Sequence, residues 1–179
     1  VLETGLPFLT NWQNFYMITG TAAATLTGLM FIVITLLSDL ERHVPTLNAG
    51  ISAFNTPTAV HFCTVLLMAL ILSAPWQAFW SVGLVLGLLG LGEVFYLLTV
   101  MRQMRRVPGY QTPLRDWLWY VAVPLSAHIV LIVAAVTLPA NPALVLYLIA
   151  VVMVVLLFTG IRNAWDLVTF LAVERSHSE

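Results

Sequence analysis

Three ionisable side chains, His61, Glu93 and His128, lie inside long apolar runs of this sequence, and each could carry proton, ion or metal chemistry. A charge at the bilayer centre costs about 2.5–3.5 kcal/mol or more, so such groups are functional candidates by default. His61 comes ten residues after Ile51, where its run begins. At about 1.5 Å per residue that is near mid-membrane. His128 comes eleven residues after Trp117 and enters from the same side, and Glu93 comes nine residues before Arg102. The three therefore share a depth on three helices. Together with Thr58 and Asn55, from the same run as His61, they form the candidate intramembrane polar site.

The residue types admit more than one reading. Gly83, Gly87 and Gly90 fall within about 120° of Glu93 on a helical wheel at about 100° per residue, and small residues mark faces where membrane helices approach closely. Glu93 thus points toward or beside a packed seam, either as a proton- or ion-handling group or as an interhelical hydrogen bond. His61 and His128 are either a relay or ligand pair, or neutral imidazoles bonded to neighbours. Two histidines at matching depth could also hold the iron of haem b axially, which would make the chain a redox protein. No other cofactor is expected. Nor is a metal site, because His61 and Cys63 diverge by about 200° on a helix. A second polar group, Thr159, Arg162, Asn163, Asp166 and Thr169, forms a stripe on the last run, where Arg162 and Asp166 are spaced to pair. It reads either as an interfacial ion pair beside Trp165 or as a vestibule on the cytoplasmic side.

The elements that must position these groups follow from composition. Of 179 residues, 60% are hydrophobic and 8% charged, whereas soluble domains carry about 25% charge. The apolar residues fall in runs of the length needed to cross a bilayer. The expected architecture is all-α, a single transmembrane domain over residues 1–179, with five spans near residues 12–37, 51–73, 76–101, 117–138 and 142–170. The first run lacks the basic flank of a signal peptide and is expected to remain as a helix. A polar loop at residues 41–45 and prolines at 75, 139 and 142 punctuate the runs, while Pro57 and Pro124 predict bends inside them. Positive residues collect on the cytoplasmic side. Arg42, Arg102, Arg105, Arg106, Arg115, Arg162 and Arg175 all fall on one side if there are five spans, with the N-terminus outside and the C-terminus cytoplasmic.

Gly20, Ala24 and Gly28, four apart on the first span, predict close helix packing within the chain or between copies of it. A net charge of −1 gives no footprint for nucleic acid, and a single cysteine excludes an intramolecular disulfide. No zincin, nucleophile-elbow, phosphate-loop or dinucleotide signature is present, which leans against an enzyme and leaves any such chemistry to the bundle itself.

The stretches Trp12-Gln13-Asn14-Phe15-Tyr16, Gly20-Thr21-Ala22-Ala23-Ala24 and Thr27-Gly28-Leu29-Met30-Phe31 resemble the first helix of a group of small bacterial multi-pass inner-membrane proteins. Phe54-Asn55-Thr56-Pro57-Thr58-Ala59-Val60-His61-Phe62 is similar to their second helix and Gly160-Ile161-Arg162-Asn163-Ala164-Trp165-Asp166 to their last. The resemblance covers about a third of the chain and implies a compact inner-membrane protein without supplying an activity. Some members bear an automatic label as modulators of the FtsH membrane protease. The expected partners are membrane lipids and either further copies of the chain or another membrane protein. The expected function is a homo-oligomeric ion or proton channel or transporter. The alternatives are an accessory subunit of a larger membrane complex and the haem protein.

Overall fold

A backbone in hydrocarbon must satisfy its own polar groups, which leaves helices or closed barrels as the only spanning structures. In the computed structural model, which describes residues 7–43, 48–104 and 117–178, the described elements are helices. A short α1 (Pro7–Thr10) precedes α2 (Gln13–His43), α3 (Asn48–Ser73) and α4 (Phe79–Met104). Next comes α5, which opens with a π-helical turn at Leu118–Ala122 and continues over Val123–Thr137, and last α6 (Pro142–Ser178). Four segments are long and apolar enough to cross a membrane: Gln13–Thr35, Phe79–Arg102, Leu118–Thr137 and Pro142–Thr169. The described apolar part of α3, Pro57–Ser73, is shorter.

Two boundaries differ from expectation. The polar loop expected at residues 41–45 is helical through His43, because polar residues alone do not break a helix, and Val44 and Pro45 lie outside the described residues. The loop expected to carry Arg105, Arg106 and Arg115 lies outside the described residues. The third span begins at Phe79 rather than Trp76. Trp76 belongs to the preceding turn, where its indole Nε1–H donates at 2.5 Å to the Ile71 carbonyl, which also accepts from the Ala74 N–H at 3.2 Å at the end of α3. Between α5 and α6, Asn141 caps the last helix by accepting from the Leu144 N–H at 3.4 Å, with Pro142 in the first turn where its missing N–H costs nothing.

The expected bend at Pro124 takes the form of a change of helical register. The Val123 N–H bonds back to the Leu118 carbonyl, a π-type step. Pro124, five residues after Trp119, has no N–H to continue that pattern, so the Trp119 carbonyl loses its helical donor. Asn163 of α6 replaces it, its Nδ2 donating to Trp119 O at 3.4 Å.

Packing places α3, α4, α5 and α6 in a ring in which each touches the next and α6 closes on α3. No comparable seam joins α3 to α5 among the described residues, so these two stand diagonally across the core. Outside the ring, α2 lies chiefly against α3. Half of the α6 span is buried in the bundle against 22% of the α2 span, which makes α6 a core helix and α2 a peripheral one. Buried positions follow three–four spacing: Leu146, Ile149, Met153, Leu156, Gly160, Asn163 and Leu167 on α6, and Gly83, Leu86, Gly90, Leu97 and Val100 on α4. Glu93 occupies the one step of the α4 pattern that is not apolar or glycine.

The glycines of α4 set the tightest seam. A Cβ at Gly83 would collide with the Ala135 carbonyl oxygen of α5, and one at Gly90 would lie 2.8 Å from Ile132 and 3.5 Å from the His128 carbonyl oxygen. Gly20 meets Ala69 of α3, whereas nothing lies within 4 Å of a Cβ at Gly28 and Ala24 is exposed. The small-residue stripe of α2 is therefore used within the chain at one end and faces outward at the other. At the end of the bundle where α2 begins, Trp12 packs edge-on to Tyr147 at 4.8 Å and Phe8 sits 6.3 Å from Phe79, as an interfacial aromatic belt does.

Candidate polar site inside the four-helix ring

His61 of α3 and His128 of α5 sit at inner positions of diagonal helices, so their side chains meet in the centre of the ring. Their centroids are 6.4 Å apart with the planes tilted by 34°, and both residues are fully buried. His128 Nδ1 lies 2.6 Å from the Pro124 carbonyl. A carbonyl can only accept, so Nδ1 carries the proton and Nε2 presents a lone pair. That Nε2 and both ring nitrogens of His61 are buried without a partner. Each such group costs about 1–3 kcal/mol if left unsatisfied, and buried polar groups left in this state call for an explanation.

Glu93 reaches the same region from α4. Its Oε1 is 2.7 Å from the Thr64 hydroxyl, one turn along α3 from His61, and its Oε2 is buried without a partner. The Thr64 hydroxyl also lies 2.9 Å from the Val60 carbonyl. It has one proton for two oxygens. When it donates to Val60, its own oxygen accepts from a protonated Glu93; when it donates to Glu93, the carboxylate accepts. Thr64 thus holds the carboxyl in either protonation state without moving a helix. Thr58, also fully buried, lies one turn before His61. The Asn55 side chain lies outside the described residues.

The structure brings His61 and His128 together and ties Glu93 to Thr64, one turn from His61. It divides the polar stripe of α6. Thr159 and Asn163 turn inward and are buried, Thr169 is exposed, and Arg162 and Asp166 sit half-buried between them. Arg162 pairs with Asp166 at 3.1 Å and lies 4.5 Å over the Trp119 ring. The Tyr120 hydroxyl donates to the Asn163 backbone carbonyl at 3.5 Å. Asn163 is thus first a splice between α6 and the interrupted start of α5.

Sequence reasoning does not identify Thr64, Trp119 or the Pro124 carbonyl as parts of the site. Thr64 had a signal, since it follows His61 by three residues and faces the same way. Pro124 had one too, standing four residues before His128. Trp119 had none, because its role depends on the π turn.

A haem held axially by the two histidines would need a macrocycle-wide slot between α3 and α5. Beside His61 the Phe62 ring closes against Gly160 of α6, and α4 passes against the His128 backbone at Gly90, so the residues present do not fit that group. Among the described residues, no three or more His, Cys, Asp or Glu side chains gather as a metal site.

No protein-family model, curated protein or solved structure matches this chain.

Proposed function

We propose that this chain is a channel- or transporter-like protein of the bacterial inner membrane that handles protons or small cations at a site formed by His61, His128, Glu93 and Thr64. The observation that carries this reading is the His61–His128 pair. Three ring nitrogens are buried without partners at mid-helix, where a purely structural role would have supplied partners. Four-helix bundles build their ligand sites this way, from inward side chains on facing helices.

The reading includes a five-span topology with the N-terminus outside. It is supported by the fall of all seven arginines on one side of such a chain and by the central position of α3, a helix of 26 residues, in the bundle. It also includes self-association through α2, supported by the outward Ala24 and Gly28. The inner-membrane location rests on the resemblance to small bacterial multi-pass proteins. A second reading, an accessory subunit that docks on a larger membrane complex, draws on the same α2 face.

Purified protein in liposomes, tested for H⁺, Na⁺ and K⁺ movement under an imposed gradient, separates the two. Flux that is lost in the double variant His61→Ala/His128→Ala supports the channel or transporter. Absence of flux from every cation, together with a stoichiometric complex with another membrane protein, overturns it in favour of the accessory subunit.

A further inference from the structure

Resting on the reading of this site as a cation-handling one, we infer that its cargo is the proton, which His61 passes on and also exchanges, through one internal water, with Nε2 of His128. His61 conducts, His128 stores, and the Glu93–Thr64 pair is the neighbouring station.

The ring separation requires an intermediary. Two imidazoles joined by a direct N–H···N bond of about 2.9 Å would have centroids about 5 Å apart. The observed 6.4 Å is too long for that contact. A water with two hydrogen bonds of about 2.8 Å, bent near its tetrahedral angle, holds the ring nitrogens about 4.6 Å apart and the centroids roughly 6–7 Å apart. Such a water needs at least about two polar partners in an otherwise apolar site, and His61 and His128 Nε2 provide them.

The ligand set favours a proton over a metal ion. The pair offers two neutral nitrogen donors. The nearest oxygen of Glu93 is engaged by Thr64, and no third His, Cys, Asp or Glu joins the pair in a metal-holding group among the described residues. A divalent ion there would lack both coordination number and charge compensation, whereas one imidazole suffices for a proton. The titratable groups on the inner faces of the ring are His61 of α3, Glu93 of α4 and His128 of α5, with Tyr96 of α4 and Tyr120 of α5 nearby. The inner face of α6 brings Thr159 and Asn163, with Arg162 and Asp166 at its rim.

The two histidines are not equivalent. Both nitrogens of His61 are unengaged. It can take a proton on one and release another from the opposite nitrogen, leaving the ring neutral in its other tautomer. The released proton passes to the water, which gives one of its own to Nε2 of His128. That ring becomes an imidazolium with its Nδ1–H still bonded to the Pro124 carbonyl. Pro124 cannot take a proton onward, so His128 returns it through Nε2. His128 is therefore a one-sided reservoir, and the Pro124 carbonyl against Nδ1 fixes it so.

The test uses the full chain with ¹⁵N-labelled histidine in lipid bilayers, read by solid-state NMR at neutral pH, alongside proton flux in liposomes. The expected result is a neutral His128 protonated at Nδ1, with Nε2 in contact with exchangeable water. His61→Gln should lower proton flux on the order of a hundredfold. His128→Asn, whose amide can still donate to Pro124 but cannot take up the proton, should lower it too, by a smaller factor. A His128 protonated at Nε2, or one without water contact, overturns the relay whatever the flux and needs no variant to fold. Equal losses in His61→Gln and His128→Asn overturn the assigned roles. Flux of Na⁺ or K⁺ without protons overturns the cargo while leaving the cation reading intact. No flux of any cation removes that reading and the cargo together.

Discussion

Replacing Gly83 by alanine should destabilise this bundle, while the same change one turn later, at Gly87, should not. The contrast follows from what each new methyl would meet. At Gly83 it would overlap the backbone carbonyl of Ala135, which cannot rotate away. At Gly87 it would lie 3.6 Å from the Ala135 side chain, an ordinary contact. Both changes remove a helical glycine, which is worth up to about 0.8–1.0 kcal/mol in favour of the variant. Only Gly83→Ala also forces α4 and α5 apart, an overpacking cost of typically about 1–3 kcal/mol. The expected balance is a net loss of up to about 2 kcal/mol at Gly83. At Gly87 it is a change between zero and a gain of about 1 kcal/mol. The Gly83 loss corresponds to as much as about a 30-fold fall in the folded-to-unfolded ratio. Reversible unfolding in mixed micelles by added SDS, followed by tryptophan fluorescence, resolves a difference of this size. Equal stability of the two variants would refute the backbone-to-backbone seam between α4 and α5, and with it the placement of Glu93 beside that seam.

Three further outcomes follow from the same geometry. Thr64→Val should cost about 1–3 kcal/mol of stability by leaving the Glu93 carboxyl without its partner, and Glu93→Gln, which keeps a bond to Thr64, should cost less; chemical unfolding of both variants checks the order. Asn163→Leu should destabilise by about 1–3 kcal/mol because the Trp119 carbonyl loses its replacement donor, and slowed amide exchange at residues 118–122 in the variant relative to wild type would contradict this. Gly28→Leu should leave the monomer fold intact and dissociate an oligomer formed on the outward α2 face; an unchanged mass by light scattering in detergent, if the parent is oligomeric, would move the interface elsewhere.

Much of the architecture was readable before any coordinates. Apolar run length and the shortage of charge require membrane helices, and prolines at 75, 139 and 142 mark real ends because proline cannot continue a helix interior. The depth of His61, Glu93 and His128 was also readable, since rise per residue converts sequence distance into height. Less was readable where a break depends on what does not interrupt the chain, as at residues 38–43, where the helix simply continues. The α6 stripe shows a second limit. A 120° arc drawn on a wheel cannot say which of its edges faces the core, and the structure puts Asn163 inside and Thr169 outside.

By itself, then, the sequence determined that this chain belongs to the bilayer, that its elements are helices, and that three titratable groups lie at one level within them. These are properties of single segments, set by transfer free energy and helical rise. Only the tertiary structure decided that two of these groups, His61 and His128, share a space. Convergence of His61 and His128 depends on α3 and α5 standing diagonally in a closed ring, which no local pattern encodes. The roles of the two histidines depend on finer detail still. The Pro124 carbonyl engages Nδ1 of His128 and leaves it one working nitrogen, whereas His61, with no such neighbour, keeps two.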